Sequence, residues 1–159
     1  MKLLRVGEHG KEIPAIIDSQ NNFRNLSKII KDFTPENLNF EILDKIKQLN
    51  LNSLPLINNN QRIGSCVIKP ANFIAIGLNY KAHAEETNSD APTEPIVFNK
   101  SPNCITGPND NIVIPKNSKS LDHEVEIALV IGSKAKYIKE DEAQDYVLGY
   151  CICNDISER

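Results

Sequence analysis

The sequence has no surplus of positive charge and no long apolar run. Its 18 Lys and Arg residues are outnumbered by 21 Asp and Glu residues, for a net charge of −3. Such a chain lacks the basic footprint of a nucleic-acid-binding protein. No apolar run approaches the roughly 18 residues of a membrane-spanning helix, and the N-terminus MKLLRVGEHGKEIP becomes polar too soon for a signal peptide. We therefore expect a cytoplasmic protein with no nucleic-acid and no membrane partner.

Several common catalytic and metal-binding motifs are also missing. The sequence contains no GxSxG nucleophile elbow and no GxxxxGK[ST] phosphate loop, which excludes the usual serine-hydrolase and P-loop interpretations. Its four cysteines lack the paired spacing of a zinc ribbon or of a disulfide framework. These cysteines are Cys66, Cys104, Cys151 and Cys153. Reduced core thiols are their simplest interpretation.

The pattern of apolar, polar and turn-forming residues along the chain predicts two parts. A length of 159 residues suits one domain with a small companion. We interpret residues 1–70 as a small α+β accessory domain in which three short strands precede two helices. Ser27 can cap a helix over residues 27–33, and Thr34-Pro35 can open a second. The apolar stripe of that second helix predicts a packing surface at Phe40, Leu43, Ile46 and Leu49.

Residues 71–159 are rich in strand patterns with short helices between them. The predicted strands are NFIAIGLNY, EPIVFNK, NIVIP, LDHEVEIALVIG and GYCICNDI, and the predicted helices are YKAHAEETN and EDEAQDYV. This succession differs from a regular βαβ alternation and indicates a mixed α+β or all-β core. We predict an α+β fold that is mainly β.

The strand LDHEVEIALVIG, residues 121–132, carries acidic residues at alternating positions. Alternation places Asp122, Glu124 and Glu126 on one face, and the nearly all-apolar opposite face is expected to pack into a core. Carboxylates placed in this way can converge on a hard cation. The alternative is a solvent-exposed strand face, on which acidic residues cost nothing. The apolar continuation ALVIG favours burial, and Asp122, nearer the strand's start, is interpreted as a supporting residue.

Two further segments contain side chains that could bind a metal ion or act in catalysis. Asp155 ends the apolar strand GYCICNDI, where it is either a turn former or a third carboxylate beside Glu124 and Glu126. His83 and Glu86 stand at i and i+3 on a short helix that follows a strand. A carboxylate that orients an imidazole produces a general base for activating water. A surface histidine on a polar helix is the alternative interpretation.

Taken together, these segments resemble the fumarylacetoacetate hydrolase family. GLNYKAHAEE is similar to its strand-to-helix HxxE element, and EPIVFNK to its E-P-x-x-F-x-K strand. GPNDNIVIP, LDHEVEIALVIG and GYCICNDISER are similar to three further family motifs, and the five occur in order from Phe73 to Arg159. Residues 1–70 resemble the N-terminal domain of the subgroup of ureidoglycolate lyases and 2,4-diketo-3-deoxy-L-fuconate hydrolases.

The resemblance implies a β-roll core that binds Mg²⁺ or Mn²⁺. The implied metal ligands are Glu124, Glu126 and Asp155. The resemblance also implies a water-activating dyad of His83 and Glu86 on a lid-like segment, and a substrate-binding role for Lys100. The implied activity is that of a hydrolase or lyase that cleaves a C–C bond in a small 2-oxo acid, here a 2,4-diketo sugar acid, with ureidoglycolate lyase as the alternative. A homodimer is also expected.

Two departures from the family pattern are present. His123 stands where the family usually has Tyr or Trp, and we interpret it as a packing residue. The sequence ends at Arg159, whereas the family continues for roughly as many residues again as the core segment 71–159 contains. We therefore expect an incomplete β-roll, either in a fragment of an enzyme or in a truncated remnant without turnover. An unclosed roll is expected to expose apolar surface, and so to be poorly soluble or to pair with another chain.

Overall fold

The chain is mainly β, with short strands and few helices. The computed structural model describes residues 1–86, 88 and 90–159, and for His83 it describes the backbone alone. The strands are β1 (Lys2–Val6), β2 (Ile13–Ile17), β3 (Phe23–Asn25), β4 (Leu56–Ile57), β5 (Ile74–Gly77), β6 (Ile96–Asn99), β7 (Leu121–Asp122), β8 (Val125–Ile131), β9 (Val147–Asn154) and β10 (Ser157–Glu158). The α-helices are α1 (Phe40–Lys47) and α2 (Lys81–Glu86), and 3-10 helices cover Leu51–Ser53, Pro102–Cys104 and Glu140–Tyr146. These elements confirm the predicted mainly β, α+β fold. Within the described residues, the helices are too short or too polar to cross a membrane.

The chain forms two compact units. The first combines Met1–Ile68 with Thr106–Arg159, and the second is Lys69–Ile105. The predicted division into domains of residues 1–70 and 71–159 stays a prediction, because a compact unit reflects contacts in the folded chain whereas a domain can fold by itself.

A four-stranded antiparallel sheet organises the N-terminal part of the first unit. Its strand order is β1-β2-β3-β4, with Lys2 opposite Ile17 and Phe23 opposite Ile57. One buried apolar cluster contains Ile16, Leu26, Ile30, Phe33 and Ile46, and a second contains Leu4, Val6, Ala15 and Phe23. Because Ala15 and Ile16 are consecutive in β2, their side chains point to opposite faces. Apolar side chains therefore cover both faces of this sheet.

Helix α1 begins later than the sequence predicts. Asn39 caps it, since Oδ1 of Asn39 accepts a 3.0 Å hydrogen bond from the backbone N–H of Ile42. The residues near Thr34-Pro35 form a turn instead, in which the N–H of Leu38 donates to the carbonyl of Thr34. The predicted stripe is confirmed in part, because Leu43 and Ile46 are its buried members.

The helix predicted for residues 27–33 is wrong, because these residues, all of them described, form turns and bends. The N–H of Ser27 donates to Oδ1 of Asn25 at 2.7 Å. Farther along the segment, the carboxylate of Asp32 accepts two hydrogen bonds from Arg5, at 2.6 and 3.0 Å. These contacts outweigh the modest helix propensity of the segment.

A network of charged side chains connects the N-terminal sheet to the turn at residues 106–110. Besides Asp32, the buried Arg5 contacts Glu12 at 3.3 Å, and Glu12 also accepts a 2.7 Å hydrogen bond from Arg62. Arg62 in turn donates to both carboxylate oxygens of Asp110. Positive and negative groups alternate along this chain of contacts, so each shielded charge has a partner. The hydrogen bonds from Arg62, followed by that from Thr106, lower the pKa of Asp110.

Gly107 allows this turn to approach the sheet closely. A Cβ atom at the buried Gly107 would collide with the carbonyl oxygen of Ile63 and would lie 2.8 Å from Oδ2 of Asp110. The N–H of Gly107 donates to that same carboxylate oxygen at 2.8 Å. The GPND segment therefore requires glycine because there is no room for a side chain at this position, and not because of an unusual backbone conformation.

Strands β8 and β9 form a two-stranded antiparallel ribbon, in which Val125 lies opposite Asn154. The single strand predicted over residues 121–132 is wrong, because β7 pairs with β10 and β8 begins only at Val125. Between β7 and β8 the N–H of His123 donates to Oδ1 of Asp122 at 2.9 Å, which interrupts the ladder. Residues 111–115, also predicted as a strand, are described and form none.

The ribbon is exposed on its apolar face. In β8 the side chains of this face range from 50% exposed at Leu129 to 70% at Val125, and Ile152 of β9 is 83% exposed. The expectation that this face packs into a core is therefore wrong for this chain, whereas the expected exposed apolar surface is present. In the described residues, most burial of large apolar side chains lies in the N-terminal part instead.

Asp18 anchors the turn between β2 and β3. Its buried carboxylate accepts hydrogen bonds from the N–H groups of Asn22 and Gln20, both at 2.9 Å, and from Nε of Arg24 at 2.7 Å. The backbone bond from Asn22 contributes most, and together these bonds lower the pKa of Asp18 to about 2 although burial opposes the shift.

Replacing Asp18 with Asn should weaken the fold and flatten its acid dependence. Because the folded chain lowers the pKa of Asp18 from its ordinary 3.8 to about 2, the contribution of Asp18 is fully present above the ordinary pKa. It is lost as the pH falls through about 2. Urea unfolding at a series of pH values measures this contribution. Asp44→Asn, at an exposed position in α1, is the matched control and should keep the full acid dependence; equal behaviour of the two variants would contradict the assignment.

Candidate active site

The register of the ribbon places three carboxylates on one face. Glu126 lies opposite Cys153, and the N–H of Asp155 donates to the carbonyl oxygen of Glu124 at 2.8 Å. Asp155 therefore continues the ladder opposite Glu124. Directly opposed residues of an antiparallel pair share a face, as do residues two apart on one strand. Glu124, Glu126 and Asp155 consequently point to the same side.

The acidic side of the ribbon is more shielded from water than the apolar side. All three carboxylate residues are half-buried, whereas Val125 and Ile127, which alternate with the two glutamates, are exposed. Charges shielded in this way interact more strongly with each other and with a counter-ion than charges in open water do. A positive group is therefore expected near this face.

Arg159 supplies such a positive group in the structure. Its Nη2 lies 2.5 Å from Oε1 of Glu124, and its Nε lies 3.3 Å from Oδ2 of Asp122. The pairing of β10 with β7 and a 3.0 Å bond from the N–H of Arg159 to the carbonyl of Ser120 fix the backbone here. The hydrogen bond from Arg159 is the largest cause of the lowered pKa of Asp122. Arg159 thus links Asp122 to Glu124, and the supporting role of Asp122 stays a prediction.

The three carboxylates suit a hard divalent ion by their chemistry. Mg²⁺ and Mn²⁺ prefer oxygen ligands, and the guanidinium of Arg159 between Asp122 and Glu124 shows that this region attracts a cation. Within residues 1–86, 88 and 90–159, no group of three or more Asp, Glu, His or Cys side chains is placed to hold an ion. The ligand set fits by residue type and by shared face, and the assignment of Glu124, Glu126 and Asp155 stays a prediction.

The predicted dyad belongs to the second unit. Helix α2 follows β5, and the N–H of Ala84 donates to the carbonyl of Tyr80 at 3.2 Å. His83 and Glu86 therefore stand one turn apart, and Glu86 is exposed. The side chain of His83 lies outside the described residues, so the catalytic pairing of these two residues stays a prediction.

Lys100 follows the end of β6, also in the second unit. Its N–H donates to the carbonyl of Phe73 at 2.7 Å, beside the pairing of β5 with β6. Its Nζ lies 5.4 Å from the centre of the Phe98 ring, a favourable cation–π distance. The lysine is half-buried. These contacts define its surroundings, and its substrate-binding role stays a prediction.

Arg159 and Asp110 were not predicted as site residues, although each belongs to a quoted motif. Arg159 is the arginine of GYCICNDISER, and Asp110 is the aspartate of GPND. Their partners are remote in sequence, because Arg159 contacts Glu124 and Asp110 contacts Arg62. Their positions in the quoted motifs indicated that these residues are important, but spacing along the chain could not identify the residues that they contact.

Comparison with known proteins identifies a family model for the second half of the chain. Residues 72–159 match the family described as Fumarylacetoacetate (FAA) hydrolase C-terminal. A protein of Burkholderia orbicola (strain MC0-3), whose name gives no more than the hydrolase class, is 46% identical over 159 residues, which are 100% of this chain and 56% of that protein. The chain thus spans little more than half the length of the curated relatives it matches.

Two solved structures are similar in fold. The 5-carboxymethyl-2-hydroxymuconate delta-isomerase of Mycobacterium smegmatis has a TM-score of 0.69 and 28% identity, over 100% of this chain and 55% of that one. The maleylpyruvate hydrolase of Sphingobium sp. SYK-6, solved with manganese(II) and pyruvate, has a TM-score of 0.78 and 21% identity, over 100% of this chain and 60% of that one. Both likenesses confirm the predicted fold type, and proteins with this fold include a hydrolase and an isomerase.

Replacing Arg159 with Gln should raise the pKa of Asp122 toward its ordinary range, because the largest cause of its lowering is removed. Carboxyl-carbon NMR titration of Asp122 measures this change. Arg159→Lys is the matched control, since it keeps the charge and loses the planar guanidinium, and it should keep part of the lowering. An unchanged titration in Arg159→Gln would show that the contact is not formed in solution.

Proposed function

Because the chain belongs to the fumarylacetoacetate hydrolase family, we propose that it acts in a divalent-metal-dependent enzyme that cleaves a C–C bond in a small 2-oxo acid. Family membership supports an enzyme of the hydrolase or isomerase type. The observation that carries the finer proposal is the shared, half-buried face of Glu124, Glu126 and Asp155 on the ribbon.

Glu124, Glu126 and Asp155 would hold the ion, Mg²⁺ or Mn²⁺. When bound, such an ion attracts the oxygens of a 2-oxo acid and stabilises negative charge that develops on them. Arg159 and Asp122 would orient Glu124 from the side, since both belong to the same set of contacts. The crystal complex of the similarly folded maleylpyruvate hydrolase with manganese(II) and pyruvate makes Mn²⁺ and pyruvate suitable probes.

His83 and Glu86 would activate water. Residues three apart on a helix can contact each other, so the Glu86 carboxylate can orient the His83 imidazole, which takes a proton from water. In a 2,4-diketo acid the resulting hydroxide adds to the C4 carbonyl, the C3–C4 bond breaks and C3 takes up a proton. Lys100 would bind the substrate carboxylate by charge. The preferred substrate class is a 2,4-diketo sugar acid, and ureidoglycolate is the alternative.

The predicted homodimer forms part of the same proposal. A second copy would cover the exposed apolar face of the ribbon, in which Val125 and Ile152 are 70% and 83% exposed. An apolar strand face of this kind is unfavourable in water and is typical of an interface. The dimer is thus proposed for the chain as it stands, with the ribbon at the contact.

Isothermal titration of the purified protein with Mn²⁺ and with Mg²⁺ tests the ligand assignment. Glu124→Gln and Asp155→Asn should each weaken binding by at least about 10- to 100-fold, because removing a ligand should cost no less than removing a supporting residue of a metal site. Glu140→Gln and Asp141→Asn, at exposed positions of the 3-10 helix Glu140–Tyr146, are the matched controls and should bind as the unaltered protein does. Unchanged binding by Glu124→Ala would make the site assignment wrong.

Pyruvate release from a 2,4-diketo acid, assayed with Mn²⁺ present, tests the reaction. Glu86→Gln and His83→Ala should lower the rate by about 10²- to 10⁴-fold, the usual contribution of general base catalysis. Glu85→Gln and His123→Ala are the matched controls, because Glu85 pairs with Lys81, and His123 is exposed and precedes strand β8. Turnover of ureidoglycolate instead would support the lyase alternative. Metal binding without turnover of either substrate would support a remnant that has lost activity.

A further inference from the structure

The side chain of Glu158 attaches strand β10 to the loop that precedes β7. Its carboxylate accepts hydrogen bonds from the backbone N–H groups of Lys119 and Ser120, at 2.8 and 3.2 Å, and a third from the hydroxyl of Ser118. Consecutive N–H groups that converge on one oxygen form an anion-binding concavity. A single carboxylate therefore holds the end of this loop against β10.

The ladder between β10 and β7 is short. Its two residue pairs are Ser157 with Asp122 and Glu158 with Leu121, and the N–H of Arg159 adds one further backbone bond at 3.0 Å. Two paired strands of this length are at best marginally stable in water by themselves. The hydrogen bonds that Glu158 accepts therefore help to keep β10 in register with β7.

Alternation along β10 places Arg159 on the side opposite Glu158. Asp122 lies opposite Ser157, and Arg159 follows two residues after Ser157, so these three side chains share one side of the ladder. From that side the guanidinium of Arg159 contacts Asp122 at 3.3 Å and Glu124 at 2.5 Å. The same short strand thus holds a loop on one side and a predicted metal ligand on the other.

The backbone of Glu124 is fixed independently of Arg159. Its N–H donates to Oδ1 of Asn154 at 3.1 Å, and its carbonyl accepts from the N–H of Asp155 at 2.8 Å. These bonds leave the side chain of Glu124 its choice of rotamer, which the bond from Nη2 of Arg159 to Oε1 of Glu124 restricts. The direction in which this carboxylate points therefore depends on where β10 holds Arg159.

We propose that Glu158 is a positioning residue: by holding β10 against residues 118–120, it keeps Arg159 in contact with Glu124 and so orients this carboxylate for a divalent ion. The part of the proposal that concerns the ion rests on the proposed function. The contact between Arg159 and Glu124 can be tested without any ion. Because Glu158 acts through Arg159, its removal should affect Glu124 only while Arg159 is present.

The Nε–H signal of Arg159 in a proton–nitrogen NMR correlation spectrum tests the contact on the metal-free purified protein. The signal is assigned by its absence from the spectrum of Arg159→Gln. Glu158→Ala removes all three hydrogen bonds to the loop. Exchange of the Nε proton with water should then become several-fold faster, because this proton no longer donates to Asp122.

Two further variants serve as graded controls for the NMR measurement. Glu158→Gln keeps an amide oxygen that can accept from the two N–H groups, and it should retain the slow exchange of the unaltered protein. Ser118→Ala removes one of the three bonds and should give a smaller increase than Glu158→Ala. An exchange rate in Glu158→Ala equal to that of the unaltered protein would overturn the proposal.

Isothermal titration with Mn²⁺ tests how the effect reaches the ion. Arg159→Gln should weaken binding by about 10-fold, at the lower end of the cost of losing a supporting residue of a metal site, and Glu158→Ala should weaken it by no more than that. The double variant should bind as Arg159→Gln alone does, because residues that act as one unit are not additive. Glu140→Gln, at an exposed position, is the matched control.

Failure of the proposed metal site and failure of the positioning role give different results. If the unaltered protein does not bind Mn²⁺, the metal site is wrong, and the NMR comparison still decides whether Glu158 positions Arg159. If the losses from Glu158→Ala and Arg159→Gln add in the double variant, Glu158 acts by another route. The positioning role is then wrong although the metal site stands.

Discussion

The antiparallel pairing of β8 with β9 determines where most of the candidate functional side chains of the first unit point. With Val125 opposite Asn154 and Glu126 opposite Cys153, alternate residues point to one face or the other from Val125 to Val130, before the register shifts by one residue at Ile131. That register places Glu124, Glu126 and Asp155 together, and it places Cys151 on the same side. A shift of one residue would turn every one of these groups to the opposite face, where the apolar side chains are now exposed.

Elsewhere in the first unit, charge pairing accompanies apolar burial. The N-terminal sheet carries the apolar clusters, while the Arg5–Glu12–Arg62–Asp110 chain of contacts holds the turn at residues 106–110 against it. Gly107 makes that close approach possible. Near the ribbon, Arg159 contacts Asp122 and Glu124, so a positive side chain of the same molecule offsets part of the negative charge there. Arg62 joins carboxylates from distant segments, Glu12 and Asp110, whereas Arg159 joins Asp122 and Glu124, which are neighbours on the same segment.

Elements of the fold were predictable from the sequence where the pattern that specifies them is local. Strands β1, β2, β3 and β9 were predicted, because their apolar alternation and turn residues are local signals. Strand β4, which has two residues, was not predicted. The helix over residues 27–33 failed because Asp32 pairs with Arg5 of β1, a contact that local propensity does not contain. The strand over residues 121–132 failed because the ladder changes partner after Asp122. The apolar face of β8 was expected in a core, and it is exposed in a chain that covers 56% of its relative.

The sequence by itself determined the family, the mainly β fold and the candidate residues Glu124, Glu126, Asp155, His83, Glu86 and Lys100, because motif order and side-chain chemistry are written along the chain. Only the tertiary structure decided which of these side chains share a face, that Arg159 contacts Glu124, and that Arg62 contacts Asp110. The physical reason is that hydrogen bonds and ion pairs act over a few ångströms in space. Folding brings residues that are distant in sequence to within those distances, so spacing along the sequence does not identify the contacts.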